Sequence, residues 1–119
     1  MKINIPKPTK ADKVLFQSLV PKSPKVTAKL MFGNDAAFVN GNLFFGIYGP
    51  DLFVRLSQDD AKELLSFDGS RAFEPMPGRP MTGYIVVPRA WRNKPEELQD
   101  WVRRSLNWTA TLPAKKPKR

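Results

Sequence analysis

The segment from Met31 to Ser57, MFGNDAAFVNGNLFFGIYGPDLFVRLS, decides the fold: three short apolar runs are broken by two turn signals. Asn40-Gly41 is the pair that best tolerates positive φ at both central positions of a two-residue hairpin, and it separates Ala-Ala-Phe-Val from Asn-Leu-Phe-Phe. Gly49-Pro50-Asp51 marks the second reversal. Runs this short and this rich in Phe, Val, Ile and Leu favour strands over helices. An antiparallel meander is expected here, with the rest of the chain covering it.

Upstream, Val26 to Phe32 alternates enough to form a further strand leading into Gly33-Asn34-Asp35, giving four strands over 26–57. Ahead of it, Thr9 with Asp12 three residues on forms a shortened capping box, and Ala11, Val14, Leu15, Ser18 and Leu19 share one helical face. A helix over 10–20 is expected, ended by Pro21 and Pro24. Downstream, period-two alternation places Leu52, Val54 and Leu56 on one face and Phe53 and Arg55 on the other. Ser57 then caps a short helix that stops by Asp68-Gly69. Residues 70–81, SRAFEPMPGRPM, hold three Pro and one Gly, so a structured loop is expected. Phe73, Met76 and Met81 would tuck inward, with a brief edge strand at 72–74. Thr82 to Val87 is nearly all apolar and is expected as a central strand covered on both faces. Asn93, with Pro95 in the first turn and Glu96 and Glu97 at the positive end of the dipole, opens a last helix. On it Leu98, Trp101, Val102, Ser105, Leu106 and Thr109 form the buried stripe, and Trp101 and Trp108 are expected as packing residues. The fold class is α+β: two layers, a mainly antiparallel sheet backed by an N-terminal, a middle and a C-terminal helix.

With 119 residues and 41% hydrophobic content, one domain with a real core is expected over 10–112, between a basic arm at 1–9 and a basic tail at 113–119. The net charge of +9 is uneven. Residues 1–29 hold seven Lys and one Asp, residues 114–119 hold four basic groups, and residues 30–113 hold nine basic against ten acidic. The surplus therefore sits at Pro-containing ends, which commonly serve as solvated tails. No run approaches the length of a membrane span and no signal-peptide core is present, so a cytoplasmic, soluble protein without membrane contact is expected.

Cys and His are both absent. That excludes thiol nucleophiles, the usual zinc ligands and the commonest general base. The glycines follow no phosphate-loop spacing. Asp59-Asp60 and Glu96-Glu97 fall in helix first turns, where carboxylates favourably meet the macrodipole. No cofactor and no enzymatic activity are expected; catalysis would need a desolvated Lys or Tyr in a pocket.

Lys29-Leu30-Met31-Phe32-Gly33, Phe38 to Phe45, Val54-Arg55-Leu56, Phe73, Pro77 to Met81, Gly83-Tyr84, Val87-Pro88 and Trp101 together resemble the N-terminal domain family of TfoX/Sxy competence regulators. The likeness spans about 10–112. It implies an antiparallel sheet backed by helices, and a bacterial cytoplasmic protein related to factors that promote expression of DNA-uptake genes. It brings no catalytic residues. Two departures stand out: a basic tail occupies the place of the family's second, helical domain, and Asn34-Asp35 follows Met-Phe-Gly where a second Gly is common. The expected function is a small regulatory or protein-interaction module, with a protein partner or a second copy bound through its surface. Arg55, Arg71 and Arg79 are the candidate partner or anion contacts. The alternative is nonspecific nucleic-acid binding through Lys22, Lys25, Lys29, Arg89, Arg92, Arg103, Arg104, Lys115 and Lys116.

Overall fold

Asn40 and Gly41 both take positive φ, 53° and 78°, and turn one strand tightly into the next. In the computed structural model, which describes residues 6–31, 33–75 and 78–114, this hairpin is the middle of the expected meander. The strands are β1 (Val26–Met31), β2 (Asn34–Val39), β3 (Asn42–Tyr48) and β4 (Asp51–Arg55). Two more complete the sheet, β5 (Arg71–Ala72) and β6 (Tyr84–Val86). The order is β1-β2-β3-β4-β6-β5, and every neighbouring pair is antiparallel. Three helices accompany it: α1 (Lys10–Leu19), α2 (Gln58–Leu65) and α3 (Pro95–Thr109). The α+β class and the four-stranded meander are as expected.

The caps show local chemistry deciding the helix starts. Thr9 Oγ1 accepts from the Asp12 amide at 3.1 Å and Asp12 accepts from the Thr9 amide at 2.8 Å, a complete capping box. Ser57 Oγ accepts from the Asp60 amide. At α3 the expectation needs correction. Asn93 ends a 3-10 turn, Arg89–Asn93, and the cap is Lys94, whose side chain makes no cap hydrogen bond. The cause is Pro95 at the first helical position, which keeps Lys94 out of the helical region, at φ −127° and ψ 69°, and leaves Asn93 to the preceding turn. The strand expected over 82–87 shrinks to Tyr84–Val86, because Gly83 at φ 86° breaks the extended backbone before it. It lies one strand in from the edge, covered on both faces, with the two-residue β5 outside it.

Register divides the core in two. Ala37 faces Phe45 but Phe38 faces Leu43, so a β-bulge leaves Phe44 without a partner on β2. Consecutive Phe44 and Phe45 therefore both enter one cluster, with Phe16 and Leu19 of α1, Leu64 of α2, and Leu98, Trp101 and Val102 of α3. Phe16 stacks on Phe45 with ring centres 4.8 Å apart. The other sheet face carries a second cluster of Ala36, Leu43, Phe53, Phe73, Tyr84 and Val86, to which no helix contributes. Its cover comes from residues 70–75 and 78–83. The Phe73 amide donates to Tyr84 O and the Met81 amide to Phe73 O, both at 2.8 Å, and Phe73 stacks on Phe53 at 4.0 Å. Phe73 and Met81 turn inward as expected; Met76 and Phe32 lie outside the described residues.

Candidate functional site

Alternation along β4 sends Asp51, Phe53 and Arg55 to the face without helices, opposite Leu52, Val54 and Leu56. Asp51 is buried and collects two guanidinium groups. Arg71 Nη2 donates to Oδ2 at 2.7 Å, and Arg89 donates through Nε to Oδ1 at 2.7 Å and through Nη2 to Oδ2 at 3.3 Å. Burial alone would raise the Asp51 carboxyl, but the hydrogen bonds from Arg89 and Arg71 outweigh it and hold it below its ordinary value. A cavity of about 210 Å³ opens beside this pair, walled by Tyr48, Arg71, Phe73, Glu74 and Val86. On its wall, Tyr48 donates to Pro75 O at 2.9 Å.

Arg55 stands at the other end of β4, opposite Tyr84. Its guanidinium carbon lies 5.4 Å from the Tyr84 ring centre and 5.7 Å from that of Trp108. Among the described residues it forms no ion pair, so the aromatic faces are what hold the cation. Trp108 thus packs, as expected, though on an arginine at the rim; Trp101 lies in the core. Tyr84 is desolvated, which pushes its phenol up against the opposing pull of Arg55, and its hydroxyl donates to Leu43 O at 3.1 Å. Arg79 is exposed on the 70–83 loop. The three candidate contacts are therefore not one cluster: Arg71 is held by Asp51, Arg55 by rings, and Arg79 faces solvent.

The residues of the nucleic-acid alternative divide by type. Each of its four arginines is paired with carboxylates: Arg89 with Asp51, Arg92 with Asp12, and Arg103 with Asp100 at 2.7 Å. Arg104 meets Glu63 at 3.1 Å, Asp100 at 3.2 Å and Asp60 at 3.8 Å while lying over Trp101. Lys22, Lys25 and Lys29 are exposed, with Lys29 Nζ 4.8 Å from the Phe38 ring centre. Lys115 and Lys116 lie outside the described residues. No group of three metal-ligating side chains occurs among the described residues.

Sequence reasoning missed Asp51 and Asp12 as the anchors of these pairs. Asp51 sits in a turn signal and Asp12 in a cap, and each local role hid a long-range one.

A family profile described as the TfoX N-terminal domain matches residues 16–108. The chain belongs to the TfoX N-terminal domain family. That family is associated in general with the regulation of competence, and the match covers both clusters and every paired arginine. Among curated proteins, none matches the sequence. No helix among the described residues of this TfoX N-terminal domain is long and apolar enough to cross a membrane.

Proposed function

We propose that this TfoX N-terminal domain is a cytoplasmic, non-enzymatic regulatory module that acts on the control of competence and DNA uptake by binding a macromolecular partner. The observation that carries this reading is the family match over 16–108. The chemistry supports it. The ionisable groups that converge do so on one another, as Asp51 does with Arg71 and Arg89, and spend their charge on holding segments together. Burial moves Tyr84 upward, away from a reactive phenolate. The test is deletion of the gene in its host, with transcripts of the DNA-uptake genes and transformation frequency as readouts. A fall in both, restored by the gene supplied on a plasmid, is the expected result. Unchanged transcripts and transformation would overturn the reading.

A further inference from the structure

β1 differs from every other long strand. Four of its six residues are exposed, Leu30 at 66%, and among the described residues it pairs only with β2. All six residues of β1 are in register with β2, so its backbone is fully extended and regular. In such an edge strand every second residue turns its N–H and C=O away from its neighbour, which makes a template for an added strand.

The two faces of this edge are unlike. Thr27 and Lys29 belong to the face without helices, beside Phe38 and Ala36, their partners on β2. Ala28 and Leu30 belong to the helix side. There a recess of about 300 Å³ lies between β1 and the end of α1, walled by the apolar Phe16, Val20, Ala28 and Leu30, with Gln17, Lys29 and Asp35 at its polar margin. Along β1 and the loop before it the charge is basic: Lys22, Lys25 and Lys29 are exposed and no acid occurs between residues 13 and 34, while on β2 Asp35 stands across from Leu30.

We infer that the free edge of β1 captures an extended acidic segment of a partner protein as a seventh strand, with acidic and apolar side chains alternating along it. This rests on the regulatory-module reading and names its binding surface. Side chains of the added strand would alternate between faces. Those on the helix side would enter the apolar recess, where Asp35 repels a carboxylate. Those on the other side would lie beside Lys29, within reach of the flanking lysines. A second copy of β1 fits poorly, since an antiparallel pairing centred on Thr27 would set Lys25 of each copy opposite Lys29 of the other. Phosphates fit poorly too: they accept hydrogen bonds from N–H groups but leave the outward C=O groups unpaired and the recess unfilled.

The probe is a capped peptide of alternating Glu and Val, with an alternating Lys and Val peptide and a short DNA duplex as comparisons, each added to the full chain and followed by amide NMR. The Glu peptide should shift β1 resonances and slow exchange of the outward β1 amides, whereas the Lys peptide should do neither. Lys25→Glu combined with Lys29→Glu, both at exposed positions, should keep the native amide spectrum, Lys29 giving up only its contact over the Phe38 ring, and weaken the Glu peptide about tenfold. Shifts confined to other strands, equal binding of both peptides, or DNA bound through the same lysines in place of the Glu peptide would each overturn the inference. So would a dimer joined through β1. In the host, full complementation by the double Glu variant would overturn this inference and leave the competence reading standing. Peptide capture at β1 by a protein whose deletion has no effect on DNA uptake would do the reverse.

Discussion

Gly46 lies under the ring of Phe53, and a Cβ built there would come within 2.6 Å of Phe53 Cζ. Its backbone is ordinary extended chain, so any residue would suit the torsions; what requires glycine is the ring above it. Phe53 has little room to give way, because Phe73 stacks on its other side at 4.0 Å and Tyr84 meets it edge-on at 6.1 Å. Replacing glycine in a strand normally stabilises by about 0.5–1 kcal/mol through the unfolded chain. Here overpacking at about 1–3 kcal/mol opposes it, and the larger effect wins. Gly46→Ala should therefore lose about 1–2 kcal/mol in urea unfolding. A variant as stable as the parent would mean that the Phe53–Phe73 stack is loose. Glycine inside an apolar run is itself a sign of close approach, though the sequence alone does not name the ring.

At the scale of elements, α3 packs on the sheet through its apolar stripe and is hydrogen-bonded to it through a serine hydroxyl. Ser105 is fully buried; its Oγ donates to Phe44 O at 2.5 Å and accepts from the Arg55 amide at 3.2 Å. Phe44 is the bulged residue, and the β3–β4 ladder ends at Phe45 opposite Val54, so these two backbone groups stand where the pairing opens. The serine bridges the gap. Ser105→Ala would strand a buried C=O, at about 1–3 kcal/mol, and a partly buried N–H, at less, and a total loss of about 2–3 kcal/mol is expected from denaturant midpoints. A loss below about 1 kcal/mol would show that water enters and replaces the hydroxyl. This contact explains what the sequence could and could not reveal. The Asn40-Gly41 hairpin, the Thr9 box and the Ser57 cap are decided within four residues, and all were legible. Ser105 was legible as a member of the buried stripe of α3, but its partners are set by a bulge some sixty positions away, and two adjacent Phe residues read as alternating when both face one way. Arg55 was legible as a cation on an aromatic face. That Trp108 completes its seat depends on how α3 crosses the sheet, which periodicity does not encode.

For the whole molecule, two buried carboxylates tie the passage from sheet to last helix. Asp12 binds α1 to Arg92 and Asp51 binds β4 to Arg89, both arginines lying in the 3-10 turn between β6 and α3; Asp51 also holds Arg71 of β5. Burial opposes ionisation at both sites, but the arginines and, for Asp12, the Thr9 cap leave each carboxyl below its ordinary value of 3.8. A carboxyl depressed by folding binds fewer protons in the native state than in the unfolded chain. Its contribution is thus complete above about 3.8 and disappears as pH falls through the lower folded value. Stability should be flat in the neutral range with respect to these groups and drop on acidification below about pH 4. Asp51→Asn isolates one of them. It removes the charge on which Arg71 and Arg89 converge while keeping size, and because both arginines are more than half exposed the loss is held to about 1–2 kcal/mol near pH 7. As pH falls through the lowered folded value the parent carboxyl takes up a proton, so the gap between parent and variant should narrow on acidification. Unfolding curves of the two proteins across that range decide the matter: a gap that stays constant with pH would mean that Asp51 acts through its shape and hydrogen bonds, not through its charge.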